Sequence, residues 1–174
     1  MIKNALPKTN AARLLDKAGI QYELVAYEVD ESNLAADHVA ESLDEPVEQV
    51  FKTLVLHGDR TGYVVCIVAG NREVDLKKAA RISGNKKIEM RPMKDLLNVT
   101  GYIRGGGTAL GMKRRFPVFM SQEALGFPYI YVSAGQRGLQ LKVSPKDWLD
   151  VCGASVADIT SEIGGGRTEI LNMS

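Results

Sequence analysis

Lys52 stands alone among apolar and β-branched neighbours in the run Val50-Phe51-Lys52-Thr53-Leu54-Val55-Leu56. Successive side chains of a strand point to opposite faces, so Lys52 shares a face with Leu54 and Leu56, and that face should point inward. An ammonium buried without partners costs several kcal/mol, on the order of a small domain's whole stability. Two readings follow from the strand alone. Either the side chain snorkels out at the strand's end, or it lines a pocket and meets a ligand.

A second run that could do chemistry is Thr100-Gly101-Tyr102-Ile103-Arg104-Gly105-Gly106-Gly107-Thr108-Ala109-Leu110-Gly111. Three consecutive glycines expose backbone N–H groups and allow positive φ, which suits the cradling of an oxyanion. A phosphate loop fails here, because Met112 occupies the place of the lysine that should follow Gly111. The dinucleotide pattern fails too, with Leu110 where its last glycine should be. An ordinary loop is the competing reading. A third candidate is the turn Tyr131-Val132-Ser133-Ala134-Gly135-Gln136-Arg137-Gly138 at a strand end. Ser133 could bind a substrate or satisfy its own turn. No G-x-S-x-G elbow surrounds it, which argues against a serine hydrolase, and with only His38 and His57 a histidine-based triad is poorly supplied. His38 reads as an ion-pair partner of Glu41.

Cys66 lies in Val64-Val65-Cys66-Ile67-Val68 and reads as a small packed hydrophobe; Cys152 has Asp150 nearby, which would only raise its thiol pKa. Neither suggests a nucleophile, and no ligand spacing suggests a metal. Neither a metal nor a cofactor is expected. Basic residues group at Lys77-Lys78 with Arg81, at Lys86-Lys87 and at Lys113-Arg114-Arg115. Each could be a solvated face; together, beside a glycine loop, they could form an RNA-backbone track.

The elements that must position these groups can be read along the chain. Thr9 or Asn10 caps a helix that Gly19 stops, and Tyr22–Tyr27 reads as a strand. Ala35–Leu43 is helical, and Pro46 opens a short helix ending near Val50. Phe51–Leu56 and Tyr63–Ala69 form a hairpin across a turn-rich loop. Helices start at Asp75 and Pro92. Strands follow at Phe116–Met120, Ile130–Val132 and Leu139–Val143, then a helix headed by Pro145 that runs through Trp148. The expected fold is a single mixed α/β domain, residues 1–160, with a flexible tail at 161–174. The 174 residues carry 22 basic and 21 acidic side chains, which argues against a generic polyanion or DNA binder. No apolar stretch approaches the roughly 18 residues needed to cross a bilayer, and the N-terminus lacks a signal-peptide core. A cytoplasmic protein without membrane partners is expected.

Read jointly, Phe51-Lys52-Thr53-Leu54-Val55, Val74-Asp75-Leu76-Lys77-Lys78-Ala79-Ala80, Thr100-Gly101-Tyr102 with its three glycines, and the turn from Tyr131 to Gly138 occur in one order. This combination closely resembles the YbaK/EbsC family, bacterial Cys-tRNA(Pro) deacylases related to the editing domain of prolyl-tRNA synthetase. The resemblance runs roughly from Thr9 to Ile159 and leaves out the glycine-rich tail. It implies a curved, largely antiparallel sheet or barrel flanked by helices. It makes Lys52 the essential lysine and Tyr27 the pocket tyrosine. Phe51, Thr53, Gly105, Gly106, Gly107, Ser133 and Gly135 are then the other substrate-binding positions. Lys77, Lys78, Lys113, Arg114 and Arg115 become candidate tRNA contacts, and mischarged aminoacyl-tRNA and prolyl-tRNA synthetase the partners. The implied reaction removes cysteine from Cys-tRNA(Pro), the substrate's own thiol attacking its ester. A water-using deacylase of another small aminoacyl-tRNA such as Ala-tRNA(Pro), and a noncatalytic binding module, are the alternatives.

Overall fold

The structure is a computed structural model that describes residues 6, 8–91 and 95–161. Thr9 caps helix α1 (Asn10–Lys17), its hydroxyl accepting the Ala12 N–H, and Ala11, Ala12 and Leu15 form the buried face. Strand β1 (Tyr22–Ala26) follows, then α2 (Ala36–Leu43), which ends with Asp44 in the left-handed conformation. Pro46 caps a 3-10 turn, Val47–Gln49, that delivers the chain into β2 (Phe51–Gly58). A three-residue turn joins β2 to β3 (Gly62–Ala69). Asn85 holds that turn, its side-chain oxygen accepting the N–H groups of Arg60 and Thr61 at 2.8 and 2.9 Å.

Asp75 caps α3 (Leu76–Ser83), accepting from the Lys77 and Lys78 N–H groups. Strand β4 (Ile88–Met90) and helix α4 (Leu96–Thr100) come next. The helix expected from Pro92 to Leu97 thus begins at Leu96 as far as the described residues go; 92–94 lie outside them. After the glycine loop come β5 (Val118–Ser121), a 3-10 turn (Gln122–Gly126), β6 (Ile130–Ser133), β7 (Leu139–Val143), α5 (Pro145–Cys152) and β8 (Ser155–Ala157). Residues 162–174 of the expected tail also lie outside the described range; Ser161, its first residue, donates its N–H to the Glu73 carbonyl.

The fold is mixed α/β, and the strands form two sheets rather than a closed barrel. The three-stranded sheet has order β1-β7-β6, and the five-stranded sheet β4-β2-β3-β5-β8. Four pairings are antiparallel; β3–β5 and β5–β8 are parallel. A parallel bridge between Val50 and Tyr131 joins the sheets just before β2 begins. The Gln49 side-chain amide strengthens that seam by donating to the Tyr129 carbonyl at 2.9 Å.

Alternation splits β2 between two cores. Phe51 and Val55 enter the larger one, with α1, Trp148 of α5 and the inner face of β6 and β7. Leu54 and Leu56 enter a second core beneath α3, with Val64, Cys66 and Val68 of β3. A small third cluster, Ala36, Val39, Ala40, Val50 and Tyr131, packs α2 over the seam between the sheets. Gly70 follows β3 beneath that cluster. Its N–H donates to the Val50 carbonyl at 2.7 Å. A Cβ built there would lie 2.8 Å from the Ala36 Cβ and 2.9 Å from both Val47 Cγ2 and the Val50 oxygen. Two of these atoms belong to tightly packed side chains and one to the backbone, so none can yield cheaply. Gly70→Ala is therefore expected to lower stability by about 1–3 kcal/mol, read as a reduced urea midpoint at unchanged m-value.

Candidate active site

At the seam, β2, β6, β7, α2 and the glycine loop enclose a cavity of about 20 Å³. Its lining contains Tyr27, Lys52, Thr53, Gly105, Gly107 and Ser133, with Phe51 and Val50 at the base and Ala36 and Val39 of α2 above. Residues spread over more than half the chain thus meet at one point. Of the substrate-binding positions expected from the sequence, Gly106 and Gly135 do not line it. Both serve the loops around it.

Lys52 is 8% exposed. It does not snorkel into solvent. Its ammonium donates to the Gly70 carbonyl at 3.4 Å, its one hydrogen bond among the described residues. Burial holds its pKa below the ordinary lysine value, while the nearby charges of Glu73 and Asp37 act in the opposite sense. Lys52 has the strand parity of Leu54 and Leu56, but it sits at the end of β2 where the second core gives way to the cavity.

The turn after β6 organises the rest. Ser133 Oγ accepts the Gly135 N–H at 3.1 Å, so its own proton stays free to be donated. Gly135 and Gly138 have φ of 107° and 91°, conformations that only glycine adopts without strain. The Gly138 carbonyl accepts the Tyr27 N–H at 2.9 Å, which anchors the backbone of the pocket tyrosine. Arg137 Nε donates to the Arg104 carbonyl at 2.8 Å and ties this turn to the glycine loop. A Cβ on Gly106 would stand 3.0 Å from the Gln136 Cα, so two backbones meet there in direct contact. The Gly106 N–H is already given to the Ile103 carbonyl at 3.0 Å. The N–H groups of Gly105 and Gly107 have no protein partner among the described residues, and both residues line the cavity. Tyr102 closes the loop's far side, its hydroxyl donating to the Leu110 carbonyl at 2.6 Å.

Ala36, Val39, Val50 and one polar lining residue, Gln140, escaped the sequence reading of the site. Gln140 of β7 is 5% exposed, opposite Ser133 in the β6–β7 register, and its side-chain oxygen is buried without a partner. It lies in Leu139-Gln140-Leu141-Lys142-Val143, where alternation reads as an ordinary half-exposed strand. Only the packing of α2 and Tyr27 over the seam reveals its burial. Neither cysteine lines the cavity. Cys66 is fully buried in the second core, and burial pushes its thiol up to about 12. Cys152 lines a separate cleft, and burial raises its thiol pKa as well, where sequence pointed to Asp150. No group of three or more metal-ligating side chains occurs among the described residues.

The expected tRNA-contacting residues divide. Lys77 is exposed on α3. Lys78, its neighbour, is engaged with Asp158 at 3.1 Å and the Thr160 carbonyl at 3.0 Å. Lys113 donates to the Asn98 carbonyl at 3.4 Å. Arg114 and Arg115 rim the cleft that contains Cys152, beyond the glycine loop. His38 and Glu41 stand 3.9 Å apart, as the helix spacing suggested. No helix among the described residues is long and apolar enough to cross a membrane.

The chain belongs to the aminoacyl-tRNA editing domain family, whose model matches residues 31–151 and so takes in every cavity-lining residue but Tyr27. Among similar proteins is EbsC of Enterococcus faecalis, provisionally named a Cys-tRNA(Pro)/Cys-tRNA(Cys) deacylase. It is 44% identical over 160 residues, covering 92% of this chain and 98% of EbsC. A proline–tRNA ligase of Thermosipho africanus is 32% identical over 65 residues, 37% of this chain and 11% of the ligase. A crystal structure provisionally described as a trans-editing enzyme for prolyl-tRNA synthetase superposes with TM-score 0.77 at 25% identity, covering 90% of this chain and all of that one.

The burial of Lys52 has a measurable consequence. Because burial depresses its folded-state pKa, the unfolded chain binds the proton more readily, and Lys52 lowers stability at neutral pH. That handicap fades as pH rises through the window between the folded value and the ordinary 10.5. Lys52→Met is expected to raise stability by about 1 kcal/mol at pH 7. The gain should shrink as pH rises through that window and be lost above the ordinary lysine value of 10.5, as followed by urea unfolding across pH.

Proposed function

We propose that this protein is a trans-editing deacylase that removes cysteine from mischarged Cys-tRNA(Pro). One observation carries the reading: a buried ammonium, two unengaged glycine N–H groups and a serine hydroxyl surround a cavity that contains no protein thiol. Such a site is equipped to bind and stabilise oxygen but brings little nucleophile of its own. The substrate's cysteine supplies one. Its thiol attacks the ester carbonyl, the carbonyl–ribose oxygen bond breaks, and the thiol proton passes to the departing 3′ oxygen. The products are a thiolactone and free tRNA.

Each residue then has a task. The Gly105 and Gly107 N–H groups stabilise the carbonyl oxygen as it gains charge. Lys52, as an ammonium, binds at the ribose side and stabilises the leaving oxygen. Ser133, Tyr27 and Gln140 hold the aminoacyl group so that thiol and carbonyl meet, which can lower the barrier by roughly 7 kcal/mol or more. Phe51 and Thr53 shape the cavity floor. The cavity of about 20 Å³ holds about one water-sized group, the size of a thiol or hydroxyl terminus. The same volume favours one second reading: a single bound water as nucleophile, with alanine or serine esters as substrates.

Lys113, Arg114 and Arg115 continue from the glycine loop and suit a path for the tRNA backbone, with Lys77 a more distant contact. The near-zero net charge provides little tRNA affinity by itself. Prolyl-tRNA synthetase is the proposed partner that supplies it, supported by the likeness to a synthetase segment and to a synthetase trans-editing structure. A cytoplasmic location and a domain spanning residues 1–160 go with this role.

Single-turnover deacylation of Cys-, Ala- and Ser-tRNA(Pro) tests the proposal. Fast loss of cysteine alone is expected, reduced by about 100-fold or more in folded Lys52→Ala. Equal loss of serine or alanine would replace thiol attack by water attack. No turnover of any substrate would leave a binding module.

A further inference from the structure

We infer that Glu73, held in place by the chain segment from Asp158 to Ser161, is the counter-ion that positions the Lys52 ammonium. The inference rests on the reading of Lys52 given above, yet its structural basis is separate. Glu73 lies three residues beyond Gly70, whose carbonyl accepts from Lys52. Its Oε1 is buried and has no hydrogen-bond partner. A carboxylate oxygen hidden from water without a donor needs compensation from a nearby positive charge. Arg72, its neighbour in sequence, is committed elsewhere, paired with Glu123 at 3.3 Å. Lys52 is the one lysine or arginine that is buried among the described residues, and Glu73 is the strongest of the charges favouring its protonated form.

The backbone that presents Glu73 is fixed from the far end of the chain. Its carbonyl accepts the Ser161 N–H at 3.1 Å, and the Asp75 N–H donates to the Ile159 carbonyl at 2.8 Å. Between them Val74 and Thr160 form an antiparallel bridge. The Thr160 hydroxyl donates to Glu123 Oε2 at 3.2 Å and accepts from Arg72 at 3.4 Å; Lys78 Nζ reaches both Asp158 and the Thr160 carbonyl. Thr160 is 3% exposed, so the centre of this clamp is interior, while the Lys78–Asp158 pair lies at the surface.

No direct ion pair joins Glu73 to Lys52 among the described residues. That separation has a use. A carboxylate in contact would occupy the ammonium's protons, whereas one set back favours the charge and leaves the protons for a substrate oxygen. Asp37, from α2, adds a weaker contribution of the same sign, and Tyr27 is the other titratable group at the cavity. Glu73 acts through Lys52 and is a positioning residue.

The test is NMR titration of the full chain labelled with ¹³C-lysine, Lys52 being assigned through Lys52→Met. Glu73→Gln is expected to move the Lys52 midpoint to lower pH by about half a unit or more. Asp37→Asn should move it less, and Glu73→Asp should keep most of the wild-type value. Should Glu73→Gln fail to fold, Glu73→Asp is read alone, with a small shift in the same direction expected. In deacylation, the basic limb of the pH–rate profile should move by the same step in Glu73→Gln. An unmoved midpoint overturns the inference whether or not any tRNA is deacylated. A moved midpoint in a protein without turnover upholds the counter-ion and rejects the editing role.

Discussion

A charged amine withdrawn from water at the end of an apolar strand is the constraint on which the site's arrangement depends. Lys52 could occupy its position only if the neighbouring structure supplied an acceptor, opposing charge and an opening for a ligand. The Gly70 carbonyl is the acceptor, and the lack of a side chain at Gly70 lets α2 and the Val50 backbone close over it. Opposing charge comes from α2 and from the loop after β3. The opening is the cavity between the two sheets. Each feature is costly or special on its own terms: an obligatory glycine, a partly unsatisfied carboxylate, an interrupted sheet. Together they are the conditions for one buried cation.

The second organising element is the turn from Ser133 to Gly138. It fastens Tyr27 through Gly138, the glycine loop through Arg137 and Arg104, and its own serine through Gly135. Three stretches distant in sequence are thereby set at fixed separations, Tyr27 and Gly106 by backbone and Arg104 by the single long side chain of Arg137. Backbone fastening suits a reaction governed by alignment, because it loses little to rotamer freedom. It also explains the division of labour among the three glycines. Gly106 is the contact point between loops and spends its N–H internally, while its neighbours face the cavity.

Much of this was legible in the sequence because the informative residues are locally anomalous. A lysine among β-strand hydrophobics, three glycines in a row and two further glycines around a serine each break a local pattern. Helices also announced themselves through Thr9, Asp75 and Pro145 at their starts and Gly19 just past the end of α1. What stayed hidden depends on tertiary contact. Gln140 reads as the polar position of an alternating strand, and its burial comes from elements more than a hundred residues upstream. Lys78 reads as part of a solvated helix face, but the returning C-terminal segment claims it. Strands β4 and β8 are three residues each, too short for any periodicity, and exist because a neighbouring edge was available to pair. The split into two sheets was equally invisible, since strand order is not written in strand composition.

The seam between the sheets sets when the molecule becomes competent. The Gln49 side chain and the Tyr129 carbonyl that stitch it are 80 residues apart, whereas the β2–β3 hairpin pairs neighbours. Long closures cost more entropy than short ones, so the hairpin can form early and the seam must wait. The segment Asp158–Ser161 is synthesised after every residue that lines the cavity. A growing chain therefore holds its lysine, its glycines and its serine without the enclosure that makes them act together. Competence waits on closure of the seam, and a chain in which the two sheets have not met has no assembled site.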